Sequence, residues 1–134
     1  MSQAPVIKSC LAIGADDLDP DAITQQLGLE PTRIWRQKRK HLEELSVPNT
    51  QWVLEIETTS KDSVSEALDE LIAVLWPIRD RVRELAQSAS SWTWFVSTVI
   101  IHEDRPLYDL QPATIEKLAY WGCEWNLDIY DYSE

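Results

Sequence analysis

Apolar positions along the chain change their period several times, and each change marks an element. Over 6–13, Ile7, Leu11 and Ile13 alternate with Lys8, Cys10 and Ala12, a period of two that predicts a strand. Asp19 then precedes Pro20: an N-cap side chain followed by a residue whose missing N–H costs nothing at the first helical position. Ile23 and Leu27 at i, i+4 predict a short helix, Gly28 supplies a left-handed stop, and Pro31 prevents a restart. Residues 32–50 are the least regular: a short strand over 32–36, a polar stretch over 38–45, and a turn at Val47, Pro48 and Asn49. Over 51–58, Trp52, Leu54 and Ile56 alternate with Gln51, Glu55 and Glu57, a strand with one buried and one wet face.

The longest helical pattern runs over 63–88. Val64, Leu68, Leu71, Leu75, Ile78, Val82 and Leu85 form one apolar stripe, and Pro77 inside it predicts a break near Trp76. Over 92–101 both faces are apolar, with Trp92, Trp94, Val96 and Ile100 on one and Phe95, Val99 and Ile101 on the other. That pattern predicts a central, fully covered strand. A loop over 102–110 leads to Pro112, which starts a helix with Ile115, Leu118 and Ala119 expected inward and Gly122 as its stop. A last strand over 123–132 sets Trp125, Leu127 and Ile129 on one face. The order β-α-(β)-β-α-β-α-β predicts an α+β fold. A single antiparallel or mixed sheet carries the helices, ferredoxin-like with an added helix and strand. At 134 residues with no linker, repeat or low-complexity stretch, residues 1–134 read as a single domain.

Charge changes the picture more than composition does. The hydrophobic fraction of 44% and charged fraction of 26% are those of a folded globular chain. The net charge of −11 argues against nucleic acid, because a phosphate backbone is repelled everywhere except at a local patch. That patch exists: the segment 33–40 holds five of the twelve Lys and Arg residues (Arg33, Arg36, Lys38, Arg39 and Lys40) and no carboxylate. Trp35 lies within it, and an aromatic ring among arginines suits stacking, a cation–π clamp or an interface anchor. The competing reading has Trp35 plugging the sheet edge while Arg33 and Arg36 pair with Glu43, Glu44, Glu55 or Glu57. Cys10 and Cys123 read as small apolar residues of a reducing compartment. No signal peptide is visible and no apolar stretch is long enough for a membrane span, so a cytoplasmic location without membrane association is expected.

An ordered set of short signatures carries a resemblance. Asp19-Pro20-Asp21-Ala22-Ile23-Thr24 is followed by Leu27-Gly28-Leu29-Glu30-Pro31-Thr32, then by a basic loop and Trp52 opening a strand. Near the end, Ile115-Glu116-Lys117-Leu118-Ala119 and Trp121-Gly122 precede the strand Leu127-Asp128-Ile129-Tyr130. In this the chain resembles the bacterial domain-of-unknown-function family 4279. Such proteins often follow the Pro-Thr pair with a Trp and a Lys-Gly pair; Trp35 is present here, and no glycine follows it. The resemblance implies the domain outline and a cytoplasmic setting, and it implies no activity.

No catalytic motif emerges. Asp16, Asp17, Asp19 and Asp21 alternate like calcium ligands, but the registers from Asp17 and Asp19 lack the glycine and glutamate that a calcium loop needs together. Helix capping explains the run more simply. Three glycines leave no phosphate-binding loop. His102, beside Glu103 and Asp104 where a strand becomes a loop, is the one candidate general base, and no serine or cysteine nucleophile motif accompanies it. Neither a catalytic residue, a metal site nor a cofactor is assigned. The expected function is a small binding module. It would hold a protein partner or a small anionic ligand through Arg33, Trp35, Arg36, Lys38, Arg39 and Lys40, and an unpaired sheet edge leaves room for a homodimer. The alternatives are an immunity-like acidic inhibitor of a basic toxin or enzyme, and an enzyme built on the His102 region.

Overall fold

A computed structural model describes residues 3–37 and 48–134. Strands β1 (Val6–Ala15), β2 (Arg33–Arg36), β3 (Thr50–Thr58), β4 (Trp92–Ile101) and β5 (Glu124–Asp131) form one sheet in the order β2-β3-β1-β4-β5. β1 runs antiparallel to both β3 and β4, and β2 runs antiparallel to β3. Only β5 is parallel to its neighbour, β4. The first four strands and their helices make the split β-α-β arrangement, and the last helix and strand extend the sheet beyond β4. The fold is α+β with a mixed sheet.

Local chemistry sets the helices. In α1 (Pro20–Leu27) the Asp19 carboxylate accepts from the Asp21 N–H at the start, and Gly28 ends the helix at φ 71°. α2 (Val64–Leu75) is capped by the Ser63 hydroxyl, which accepts from the Glu66 N–H. Pro77 breaks the long pattern as expected: a 3-10 turn, Trp76–Ile78, separates α2 from α3 (Arg79–Ala86). α4 (Pro112–Trp121) ends at Gly122. Among the described residues no helix is long and apolar enough to cross a membrane.

The main core lies between the helices and one face of the sheet. Leu11, Ile13, Trp52 and Phe95 from the strands meet Leu68, Leu71, Ile72 and Leu75 of α2, with Val82, Leu118 and Trp121 closing it. Trp121 stacks on Phe95 at 5.4 Å between ring centroids, and its Nε1–H donates to the Arg79 carbonyl at 3.0 Å. Two expectations for α4 change. Ile115 and Ala119 are exposed, and the inward positions are Thr114, Leu118 and Trp121. Thr114 turns inward because its hydroxyl has partners there, Ser65 at 2.9 Å and Asp69 at 2.7 Å.

Among the described residues, the other face of the sheet bears no helix. Strand β4 is internal in the sheet, and among the described residues helices cover only one of its faces. The expectation of full covering fails for that reason, and Trp92 is 56% exposed rather than part of the core.

Candidate functional site: the open face of the sheet

Strand register assembles this face row by row. One row crosses all five strands: Arg33 on β2, Val53 on β3, Ala12 on β1, Trp94 on β4 and Glu124 on β5. The rows on either side hold Trp35, Gln51, Gly14 and Trp92 in one case, and Glu55, Cys10, Val96 and Asn126 in the other. Cys10, Ala12 and Val53 form a small buried cluster, with Trp94 and Val96 packed against it. The face therefore has an apolar centre, an arginine at its β2 margin and a glutamate at its β5 margin. Four strand spacings, about 19 Å, separate those charges.

The described part of the basic segment is divided by the pleat. Arg33 and Trp35 project to the open face, while Ile34 packs into the main core and Arg36 has the parity of the opposite face. Arg33 is not free: its guanidinium donates to Glu55 Oε1 at 3.1 Å, one of the carboxylates expected to pair with it. Trp35 is half-buried, and Arg36 is exposed. Lys38, Arg39 and Lys40 lie outside the described residues, as do Glu43, Glu44 and Val47, the first residue of the expected turn.

Glu55 also accepts a hydrogen bond from the Cys10 thiol at 3.2 Å. Burial pushes the Cys10 pKa up, and the hydrogen bond and charge of Glu55 add to it, bringing it to about 12. Burial works against ionisation of Glu55 itself. The hydrogen bonds from Cys10 and Arg33, with the charges of Arg33 and Lys8, outweigh it and hold the carboxyl below its usual range. Cys123 is likewise a free thiol, pushed up to about 11 by burial. Both cysteines are protonated at neutral pH and poor nucleophiles.

The other sequence candidates have local roles. Asp16 and Asp17 clasp Asn49: its N–H donates to Asp16 Oδ1 at 3.1 Å, and its Oδ1 accepts from the Asp17 N–H at 2.8 Å. The clasp holds Asp17 at φ 57°, a conformation aspartate tolerates better than most residues. Among the described residues no group of three or more acidic, histidine or cysteine side chains is placed to hold a metal ion. His102 is exposed and stacks on Tyr132 at 5.8 Å. Its neighbour Arg105 pairs with Asp131. Hydrogen bonds from the Ser133 hydroxyl and N–H, with that from Arg105, bring the Asp131 carboxyl down to about 2.

Sequence reasoning missed the contribution of β5. Glu124 and Asn126 come next to Trp94 and Val96 only because β5 pairs in parallel with β4, a register that no local pattern encodes. One signal was available for Trp92: the run Ser88-Ala89-Ser90-Ser91 before it marks an exposed turn.

No curated protein and no solved structure matches the chain significantly. A family model, described as a domain of unknown function (DUF4279), matches residues 6–132. The chain belongs to this DUF4279 family.

Proposed function

We propose that this protein is a small binding module that works without catalysis and holds a protein partner through the open face of its sheet. The observation that carries this reading is the one-sided sheet. Among the described residues no helix lies on that face, which carries Trp35, Trp92 and Trp94 around the apolar cluster of Cys10, Ala12 and Val53, and indoles backed by arginine are the side chains that dominate protein interfaces. The described part of the segment 33–40 contributes at the β2 margin, as the strand Arg33–Arg36. Trp35 is the anchor, and Arg33, Arg36, Lys38, Arg39 and Lys40 supply docking charge for an acidic partner or a small anionic ligand. The cytoplasm is the proposed setting, in keeping with two protonated, unpaired thiols.

The test is capture from native lysate with the Trp35→Ala, Arg36→Glu double variant beside the wild type. A specific protein recovered by the wild type, insensitive to nuclease and lost in the variant at unchanged melting temperature, is the expected result. Equal recovery by both forms would sink the proposal.

A second reading, inhibition of a basic toxin or enzyme, is favoured by one observation: Glu124, Asp128 and Asp131 line the edge strand β5, with Tyr130 and Tyr132 exposed beside them. It predicts that Asp128→Lys with Tyr130→Ala, rather than the β2 variant, abolishes capture. The His102 alternative has less support. Among the described residues the His102 ring meets Tyr132, and no carboxylate lies within hydrogen-bonding distance of it.

A further inference from the structure

At the β5 end of the open face a groove of about 540 Å³ runs past Pro48, Trp92, Trp94, Glu124 and Asn126. That volume lies within the roughly 300–1,000 Å³ typical of small-ligand sites. Trp92 and Trp94 are alternate residues of one strand, so both indoles rise from the same face. The Trp94 ring leans along β1: its Cη2 atom lies 3.2 Å from where a Cβ on Gly14 would sit. Glu124 is the direct cross-strand neighbour of Trp94. Its carboxylate accepts one hydrogen bond, from Asn126 Nδ2 at 3.2 Å, which orients it. Among the described residues it has no cationic partner: the ion pairs there join Lys8 to Glu57, Arg33 to Glu55 and Arg105 to Asp131.

We infer that this groove is a receptor for a cationic side chain, the guanidinium or ammonium head of an arginine or lysine presented by a protein partner. Three independent features select a cation. Indole faces carry negative quadrupole density and attract positive charge. An oriented, unpaired carboxylate beside them supplies the counter-charge and acceptor lone pairs. The chain's net charge of −11 raises the local concentration of cations and repels anions. A neutral ring would use the indoles but leave Glu124 idle, and an anion would be opposed by all three. The inference rests on the open face being the binding face, and it adds what that face holds at the margin opposite the basic segment.

Solution NMR tests it directly. N-acetyl-arginine amide is titrated while the indole N–H signals of Trp92 and Trp94 are followed, assigned with single Trp→Phe variants. The neutral isostere N-acetyl-citrulline amide and choline are run alongside. Saturable shifts at both indoles with a dissociation constant of about 1–10 mM are expected for the arginine derivative. Citrulline should bind about tenfold more weakly, and Glu124→Gln should remove most of that preference while leaving the melting temperature unchanged. Equal binding of citrulline, or no shift at either indole, overturns the inference. Choline binding markedly tighter than arginine overturns the side-chain assignment in favour of a free quaternary amine. Capture lost on changing Trp35 and Arg36, with no arginine binding here, would leave the binding function standing and this inference refuted; the reverse pattern would do the opposite.

Discussion

Glu55 joins two groups of opposite tendency on the open face, a thiol that burial keeps neutral and a guanidinium that is always charged. Replacing it with glutamine removes the charge that opposes thiolate formation, so Cys10 should titrate lower than about 12. Burial is the larger cause and remains, so the thiol should stay above its ordinary value of 9.0. Alkylation rates of Cys10 against pH in the wild type and Glu55→Gln measure this. A variant thiol titrating below the ordinary value would show that charge, not burial, sets the Cys10 pKa. Asp109 gives the complementary case on the helix side. Burial would raise its pKa, but hydrogen bonds from Gln111, from the Ser63 hydroxyl and from the Ser65 N–H hold it below its ordinary 3.8. A carboxyl lowered in the folded state adds stability that is complete above its unfolded pKa and fades as pH falls through the folded one. Urea midpoints should therefore fall below about pH 4, and Asp109→Asn should flatten that fall. An unchanged acid slope in the variant would remove Asp109 from the account.

Element boundaries follow from residues that act locally, and this is why so many were legible. Asp19, Pro20, Gly28, Pro77 and Gly122 each impose a backbone conformation on their own neighbourhood, and each does in the structure what its position in the sequence predicts. Inward faces were harder to read. In α4, Thr114 was invisible to an apolar pattern because it is buried through hydrogen bonds to Ser65 and Asp69, groups from a distant part of the chain. The weak strand at 32–36 was legible as a possibility, and pairing with β3 makes it real over Arg33–Arg36. Gly14 shows the same dependence on long-range contact. Nothing around it in the sequence demands glycine, yet a Cβ there would sit 2.6 Å from Pro48 Cγ and 3.2 Å from the Trp94 ring. Both neighbours are rigid, so Gly14→Ala should cost about 1–3 kcal/mol by overpacking. Thermal or urea unfolding checks this, and a neutral effect would mean that the Pro48 contact yields freely. Because Trp94 lines the cation groove, the same variant should also disturb its indole signal.

The whole molecule reads in outline as a ferredoxin-like unit with an appended α4 and β5, but its packing does not divide there. Trp121 is 1% exposed and stacks on Phe95, and Leu118 is 6% exposed in the same cluster as Leu11, Trp52 and Phe95. Trp76 meets both Tyr120 and Trp121 edge-on at 5.6 Å, so the turn between α2 and α3 leans on α4. Arg79 and Lys117 lie over the Trp76 ring at 5.1 and 5.3 Å, and Arg83 lies over Tyr120 at 4.9 Å, which further ties the two helices. Truncating a buried Trp or Leu costs roughly 2–5 kcal/mol each, against about 5–15 kcal/mol of total stability for a domain. Removing α4 and β5 together deletes both side chains, the Trp125 Nε1–H donated to Ser97, and the whole parallel ladder on β4. A chain ending at residue 111 should therefore fail to show a cooperative urea transition, although it retains every element of the split β-α-β unit. Trp121→Ala in the full chain should unfold in a single transition shifted to lower urea by about 3–5 kcal/mol. A truncated chain with a sharp transition and dispersed NMR spectrum would instead make the last helix and strand a separable addition. The open face would then owe its β5 margin, and the groove at Glu124, to a segment docked on a fold already complete.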